Sequence, residues 1–308
     1  MRRGFRERLS APLQAFGPRP CYLGRMDAAV APPARSNEAV SAPRVYRHSL
    51  TTRVTHGLTA LAFVVLVMSG LQIFNASPNL DASDKSDPQR RVLAIGADTS
   101  SGAPVGMVQI FGLSFHTGHL LGYTDDGSGG ESQRAFPGWL TLPGYQSLAD
   151  GRRWHLFFGW LLVLGGIAYF VAGLRRKDLQ QLVLRPADLP KLLPMQLYYL
   201  RLRKVPPPYG RYNPLQKAAY TTVLFVFTPL IVISGLALSP GIDAIAGPLT
   251  SVLGGRQFAR LWHFVAMLAL IGFVAVHLTL VASTGVFNNL RSMITGMYRP
   301  GEHEGAGP

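Results

Sequence analysis

The chain has 308 residues and a formal net charge of +14, and 48% of its residues are hydrophobic whereas only 15% are charged. This balance excludes a chain dominated by a disordered or highly charged binding tail. The single cysteine, Cys21, excludes an internal disulfide framework, a cysteine-rich zinc module, a cysteine-held iron–sulfur cluster and the C-x-x-C-H attachment of a c-type haem. Any metal chemistry therefore depends on the eight histidines.

Residues 1–45 are rich in Arg, Pro and Ala and lack an apolar core of signal-peptide length followed by a cleavage site. We therefore expect a disordered cytoplasmic extension. Translation from Met26 instead of Met1 is equally compatible with this composition. A polar tail is predicted over residues 301–308.

Four apolar blocks between these ends contain no Asp, Glu, Lys or Arg: residues 58–74, 156–174, 219–238 and 261–282. About 20 such residues in a helix cross a bilayer core of about 30 Å. Buried helices of a soluble bundle would normally show polar faces at helical period, and these blocks do not. We predict an all-α, integral membrane four-helix bundle over residues 46–300.

The distribution of Lys and Arg predicts the orientation of the bundle. Residues 1–55 carry ten basic and three acidic residues, and residues 175–218 carry ten and two. The connection over residues 75–153 carries six basic and eight acidic residues. Basic loops stay in the cytoplasm, so both termini and the 175–218 loop are predicted to be inside, and the 75–153 loop outside. Membrane topology and contact with lipid account for the positive charge, so no nucleic-acid partner is predicted.

The sequence predicts features of both long connections, residues 75–153 and 175–218. An outer loop as long as residues 75–153 is expected to be functional or disordered. Within the cytoplasmic loop, residues 188–202 mix Leu and Tyr with basic residues, which is typical of a helix lying on the membrane surface.

Four histidines lie in or at the mouths of the predicted spans: His56, His155, His263 and His277. An ionisable side chain is costly in the membrane and usually faces the bundle interior with a partner. The alternating direction of the helices places His155 and His263 near the outer face, and His56 and His277 toward the inner face. The four histidines thus form two pairs at two depths.

The spacing within the fourth block sharpens this prediction. His263 and His277 are fourteen residues apart, which is close to four helical turns and about 21 Å of rise, so both imidazoles share one face. One helix can therefore give one axial ligand to each of two stacked haems, with His155 completing the outer site and His56 the inner site. The alternative for each histidine is a hydrogen-bonded packing residue.

Other residues support or compete with this assignment. Arg53, Arg153 and Arg260 each lie within three residues of a ligand candidate, where a guanidinium could pair with a haem propionate or simply reach the interface. Four glycines would let a porphyrin or a neighbouring helix approach the backbone, namely Gly70, Gly159, Gly165 and Gly166.

The remaining histidines are weaker candidates. His48 is expected to be solvated, although it could replace His56 as a ligand. His116 and His119 form an H-x-x-H in the outer loop without an evident third metal ligand. No role is predicted for His303 in the polar tail.

A weak internal repeat relates the two halves of the bundle. The first and third blocks end with Ser-Gly-Leu, at residues 69–71 and 234–236, and the second and fourth open with an Arg shortly before Trp-His, at residues 153–155 and 260–263. If the repeat is genuine, the counterpart of His56 is Thr221, so the third helix lacks this histidine.

The four-histidine pattern, the Arg-Arg-Trp-His at residues 152–155 and the segment Phe-Asn-Asn-Leu-Arg-Ser-Met-Ile-Thr-Gly at residues 287–296 resemble the bacterial di-haem cytochrome b family. That family includes b561-type proteins, the cytochrome b subunits of formate dehydrogenases and nickel–iron hydrogenases, and cytochrome b/b6 domain proteins. The resemblance covers roughly residues 45–300.

The resemblance implies bis-histidine haem b at His155/His263 and at His56/His277, and exchange of electrons with a quinone near the inner haem. It further implies a location in the bacterial inner membrane and a periplasmic partner enzyme, with a molybdopterin-dependent oxidoreductase as the favoured partner. The chain would then be an electron-transfer subunit with no catalytic site of its own, and a homodimer within the complex is compatible with this role.

The competing interpretation is a transporter or sensor whose histidines carry protons or bind a transition metal. It predicts acidic partners within the apolar blocks, and the sequence has none there.

Overall fold

The computed structural model describes residues 44–100, 102–176, 179–210 and 212–299. The predicted extension up to residue 43 and the tail at 301–308 with His303 lie outside the described residues. Met1 and Met26, the two candidate start positions, also lie outside the described residues.

Four long apolar helices form the bundle, which confirms the predicted membrane fold. We call them the first, second, third and fourth spans: Leu50–Phe74, Leu148–Arg175, Pro214–Leu238 and Arg256–Ser283. Each exceeds the roughly 20 residues that a bilayer core requires, and each begins earlier than its predicted apolar block. The first span packs along the second, and the third packs along the fourth.

Polar caps explain where three of the spans begin. The hydroxyls of Ser49 and Ser147 each accept a hydrogen bond from a backbone N–H three residues further on. Asn213 and Gln216 bond reciprocally to each other's backbone N–H, at 2.8 and 3.1 Å. These bonds satisfy N–H groups that have no partner within the helix, so the helices start several residues before the apolar blocks.

The third span contains a wider π-helical turn over Val223–Phe227. Pro229 lies two residues after the end of this turn and has no N–H with which to continue the α-helical ladder. The proline therefore explains why the third span is divided into Pro214–Thr222, the π turn and Thr228–Leu238.

Short helices connect the second to the third span and the third to the fourth. The segment predicted to lie on the membrane surface is helical, and its Leu189 and Leu193 side chains are exposed. These features agree with an interfacial position. The short helices are Leu179–Leu182, Pro186–Lys191, Leu192–Tyr199, Pro240–Asp243 and Pro248–Val252.

At the end of the bundle predicted to face the cytoplasm, the chain that follows the fourth span returns to the start of the first. An amphipathic helix, Val286–Thr295, is followed by a short strand, Met297–Tyr298, which pairs antiparallel with Val45–Tyr46. The Arg53 guanidinium donates to the backbone oxygen of Ile294. These contacts hold the first span beside the end of the fourth.

The connection between the first and second spans, which is predicted to lie outside, is folded. We call residues 75–147 the outer lobe; it contains a four-stranded antiparallel sheet and a separate hairpin, neither of which hydropathy predicted. The lobe packs on the helix ends through Phe74, whose ring lies 5.2 Å from that of Phe264 and 5.6 Å from that of Phe136. The sheet strands, in order, are Asn79–Asp81, Arg91–Asp98, Val105–Ile110 and Leu113–Gly118, the hairpin strands are Gly122–Asp125 and Glu131–Arg134, and the 3-10 turns are Pro88–Arg90 and Gly138–Leu140.

Two glycines let the hairpin approach the sheet backbone to backbone. A Cβ on Gly106 would overlap the carbonyl oxygen of Leu121, and a Cβ on Gly122 would overlap that of Gly96. Gly122 also has a φ of +87°, a conformation that side chains disfavour. The packing of the lobe therefore requires glycine at these positions.

A buried arginine ties the outer lobe to the first span. Arg134 is only 2% exposed, and its guanidinium donates to the backbone oxygens of Asp126 and Gly144. It also donates to the Thr141 hydroxyl at 3.0 Å and to the amide oxygen of Gln72, in the first span, at 3.1 Å. A buried charge needs such partners, so Arg134 fixes the lobe to the helix end.

A buried carboxylate holds the first strand of the sheet. Asp81 accepts hydrogen bonds from the Arg91 Nε at 3.1 Å, from the Ser86 hydroxyl at 3.0 Å and from the Asp87 backbone N–H at 3.0 Å. Burial alone would raise the pKa of Asp81, but these bonds hold its pKa below the ordinary value.

Replacing Gly122 with Ala should destabilise the outer lobe by about 2–5 kcal/mol, because left-handed strain adds to the overlap with the Gly96 carbonyl. The measurement is the temperature at which a protease cleaves the lobe in detergent micelles. Gly112→Ala is the matched control, since Gly112 has a φ of +82° but open space around it. Equal losses of stability in the two variants would contradict the close approach.

The outer lobe should lose stability at acidic pH through Asp81. Because the folded pKa is lowered, the stabilisation by Asp81 is fully present above the unfolded pKa of about 3.9 and is lost as pH falls through the folded value. In Asp81→Asn, we expect proteolysis of the lobe to be fast already at neutral pH and nearly independent of pH. Asp84→Asn, at an exposed carboxylate, should retain the wild-type pH profile. A wild-type profile in Asp81→Asn would refute the role of this residue.

Candidate functional site

The fourth span presents its two histidines to two different helices. The ring centroids of His263 and His155, from the second span, lie 6.0 Å apart with an interplanar angle of 62°. The ring centroids of His277 and His56, from the first span, lie 6.4 Å apart at 53°. The structure thus brings together the two predicted pairs, at positions separated by fourteen residues, or about 21 Å of helix rise.

The separation of the rings fits a metal ion between them. Two metal–nitrogen bonds of about 2 Å place the ligating nitrogens about 4 Å apart, and the ring radius on each side brings the centroids to about 6 Å. Both observed distances match this value. Imidazoles from facing helices of a bundle are a ligand set suited to haem iron.

Two buried serines bind the outer pair of rings, and the sequence did not identify them. The Ser69 hydroxyl lies 3.1 Å from His155 Nδ1, and the Ser234 hydroxyl lies 3.0 Å from His263 Nδ1. Both serines are fully buried. The repeated Ser-Gly-Leu at residues 69–71 and 234–236 is the sequence signal that could have identified them.

The glycine after each serine makes room for the ring. A Cβ on Gly70 would lie 3.3 Å from the Cε1 of His155, and a Cβ on Gly235 would lie 3.1 Å from the Cε1 of His263. Gly70 therefore admits a histidine ring. By contrast, added Cβ atoms at Gly159, Gly165 and Gly166 would have open space around them.

The internal repeat ends at the inner pair. Thr221, the counterpart of His56 in the third span, accepts a hydrogen bond from the Leu184 N–H at 2.8 Å and donates to the Leu182 carbonyl oxygen at 3.4 Å. It therefore anchors the cytoplasmic connection instead of facing another imidazole.

The three predicted arginines lie at the ends of the spans with protein partners. Arg53 donates to the Ile294 carbonyl oxygen, and its Nε is buried without a partner. Arg153 pairs with the Asp150 carboxylate at 3.0 Å, with most of its side chain exposed. Arg260 donates to the Ser77 carbonyl oxygen at 2.6 Å.

The other histidines are placed apart from these pairs. His116 Nε2 lies 3.2 Å from the Asp98 carboxylate, and His119 Nδ1 lies 3.0 Å from that of Glu131. Within the described ranges, no three His, Cys, Asp or Glu side chains converge as a metal site. His56, and not His48, faces His277.

Comparison with known proteins identifies the family of this chain. The model of the prokaryotic cytochrome b561 family matches residues 47–296. A relative from Azospira oryzae, named as the protein-methionine-sulfoxide reductase subunit YedZ1, is 30% identical over 81% of this chain and 96% of its own length. A relative from Bradyrhizobium diazoefficiens, named as a Ni/Fe-hydrogenase B-type cytochrome subunit, is 23% identical over 87% of this chain and 92% of its own length. The chain therefore belongs to the prokaryotic cytochrome b561 family and is a four-span membrane cytochrome b that serves electron transfer.

Proposed function

We propose that the protein relays electrons through two b-type haems, one near each membrane face, between a periplasmic redox enzyme and the quinone pool. The observation that carries this proposal is the pairing of both fourth-span histidines with histidines of two other helices, at 6.0 and 6.4 Å. One rigid helix thereby positions a ligand for each haem.

His155 and His263 would hold the outer haem, and His56 and His277 the inner haem. When bound, haem supplies an iron that gains and loses single electrons. The chain keeps the imidazoles in facing positions between apolar helices; His155, His263 and His277 are partly buried, and His56 is exposed. The helix rise of about 21 Å between the two levels covers most of a bilayer core of about 30 Å.

Arginines at the helix ends would pair with the haem propionates. Arg53 offers a buried Nε that lacks a protein partner, three residues before His56. Arg153 and Arg260 lie two and three residues before His155 and His263, at the outer interface. Arg153 pairs with Asp150 and Arg260 donates to the Ser77 carbonyl oxygen, so both guanidinium groups lie at the end of the bundle that carries the outer histidines, which supports this role.

The outer lobe provides the surface for a partner enzyme. It is folded and fixed to the first span by Arg134, so it can present a defined surface outside the membrane. The two relatives are named as subunits of a protein-methionine-sulfoxide reductase and of a Ni/Fe-hydrogenase, which supports a redox enzyme as partner. For this chain, a molybdopterin-dependent oxidoreductase is proposed as the partner from the sequence resemblance alone, and a hydrogenase is the alternative partner.

The orientation in the bacterial inner membrane is proposed from charge. The 175–218 connection, with ten basic residues, and both termini would be cytoplasmic, and the acidic outer loop periplasmic. A quinone would exchange electrons near the inner haem, close to lipid. Assembly as a homodimer within the complex stays a prediction.

The purified protein should show two b-type haems per chain in a reduced-minus-oxidised absorption spectrum. His155→Ala should remove the outer haem and leave most of the inner one, because each haem has its own ligand pair. His56→Ala should have the reverse effect.

His116→Ala, in the outer lobe, serves as the control and should keep both haems. A folded but colourless protein would refute the proposal and favour a transporter or sensor. Retention of both haems in His155→Ala would show that the ligand assignment is wrong.

The topology can be tested with single cysteines in a Cys21→Ser background. A membrane-impermeant maleimide should label Gly112→Cys, in the outer lobe, on intact spheroplasts. It should label Arg203→Cys only after the membrane is permeabilised. The opposite pattern would contradict the proposed orientation.

A further inference from the structure

The two buried serines are bonded in a way that determines the proton position on the outer histidines. The Ser69 hydroxyl donates to the Val65 carbonyl oxygen at 2.6 Å, and the Ser234 hydroxyl donates to that of Leu230 at 2.5 Å. Each hydroxyl proton is thus used in a hydrogen bond to a backbone carbonyl. The serine oxygen is left as an acceptor, so the ring Nδ1 must be the donor.

This tautomer leaves the Nε2 lone pair of each ring free. A ring that donates from Nδ1 coordinates iron through Nε2, and the hydrogen bond makes Nε2 more electron-rich. The glycine after each serine leaves space for the ring to come within 3.0–3.1 Å of the serine oxygen. Serine and glycine together form a slot that fixes both the tautomer and the position of the ring.

The inner pair is built differently. Among the described residues, no hydrogen-bond partner contacts the rings of His56 or His277, and the nearest aromatic neighbour of His277 is Phe273, stacked at 6.1 Å. The electron-rich ligands therefore belong to the outer pair alone.

We propose that Ser69 and Ser234 are positioning residues that lower the reduction potential of the outer haem and so make the two haems unequal. This inference rests on the proposed ligand pairs. A more electron-rich imidazole stabilises the ferric iron, so loss of the serine oxygen should favour the ferrous form.

The expected size of the effect is modest. Each variant removes one hydrogen bond from one of the two outer rings and leaves the other ring unchanged. We expect each serine to change the equilibrium constant for reduction by roughly threefold to tenfold, where tenfold is about 59 mV for one electron.

The test is a redox titration of the full-length protein, followed through the haem absorption bands. Ser69→Ala and Ser234→Ala should each raise the potential of the outer haem and leave that of the inner haem unchanged. Ser69→Thr, which keeps the hydroxyl, should restore the wild-type value. Ser69→Cys keeps the side-chain volume with a weaker acceptor and should give an intermediate potential, which provides a measurement if an alanine variant loses the haem.

Thr279→Ala is the matched control. Thr279 lies on the fourth span and bonds back to the Ala275 carbonyl oxygen at 2.9 Å, as the serines do, but its side chain is exposed. This variant should move neither potential. Its behaviour separates the loss of a helix back-bond from the loss of a histidine partner.

Unchanged potentials in the alanine and cysteine variants, or equal shifts of both haems, would overturn the inference. If His155→Ala still removes the outer haem in that case, the proposed function stands and only the role of the serines fails. If His155→Ala retains both haems, the ligand assignment itself is wrong.

Discussion

The cost of placing an imidazole in a bilayer is the constraint on which this structure depends. A histidine in the hydrocarbon region must be neutral, and its polar nitrogens need partners, because lipid provides none. The fourth span carries His263 and His277 on one face, so both rings are directed toward the interior of the bundle. There each meets a second histidine, and the outer rings also meet a serine. The pairing of the histidines gives each ring a polar neighbour at both depths.

The first two spans and the last two spans build the outer pair in the same way. In each case, a serine and a glycine near the end of one span contact the histidine near the start of the next: Ser69 contacts His155, and Ser234 contacts His263. The inner pair has no such symmetry, because the third span has Thr221 at the position that corresponds to His56 in the first span. At the level of the inner pair, Arg53 joins the first span to the helix that follows the fourth. If each pair holds a haem as proposed, the symmetric outer pair and the asymmetric inner pair are a physical basis for two haems with different properties.

The outer lobe shows a different principle of construction. It is held by glycines that allow backbones to touch, at Gly106 and Gly122, and by buried hydrogen-bonded groups such as the Asp81 carboxylate. Arg134 then connects the lobe to the first span. A surface fixed in this way keeps a constant relation to the outer histidines. Such rigidity suits a docking surface for a redox partner, because electron transfer requires a reproducible distance between the two proteins.

The sequence by itself determined the four spans, the two depths and the pairing of the histidines, because apolar length and helical period depend only on local order along the chain. It also pointed to the family. It did not predict the sheets of the outer lobe, whose short strands have weak local signals and are stabilised by contacts between distant residues such as Arg134 and Gln72. Nor did it predict that Ser69 binds His155, since 86 residues separate them and only the packing of two helices brings them to 3.1 Å. Tertiary structure decided these features, because a hydrogen bond between helices depends on their rotation and height, which no local pattern specifies.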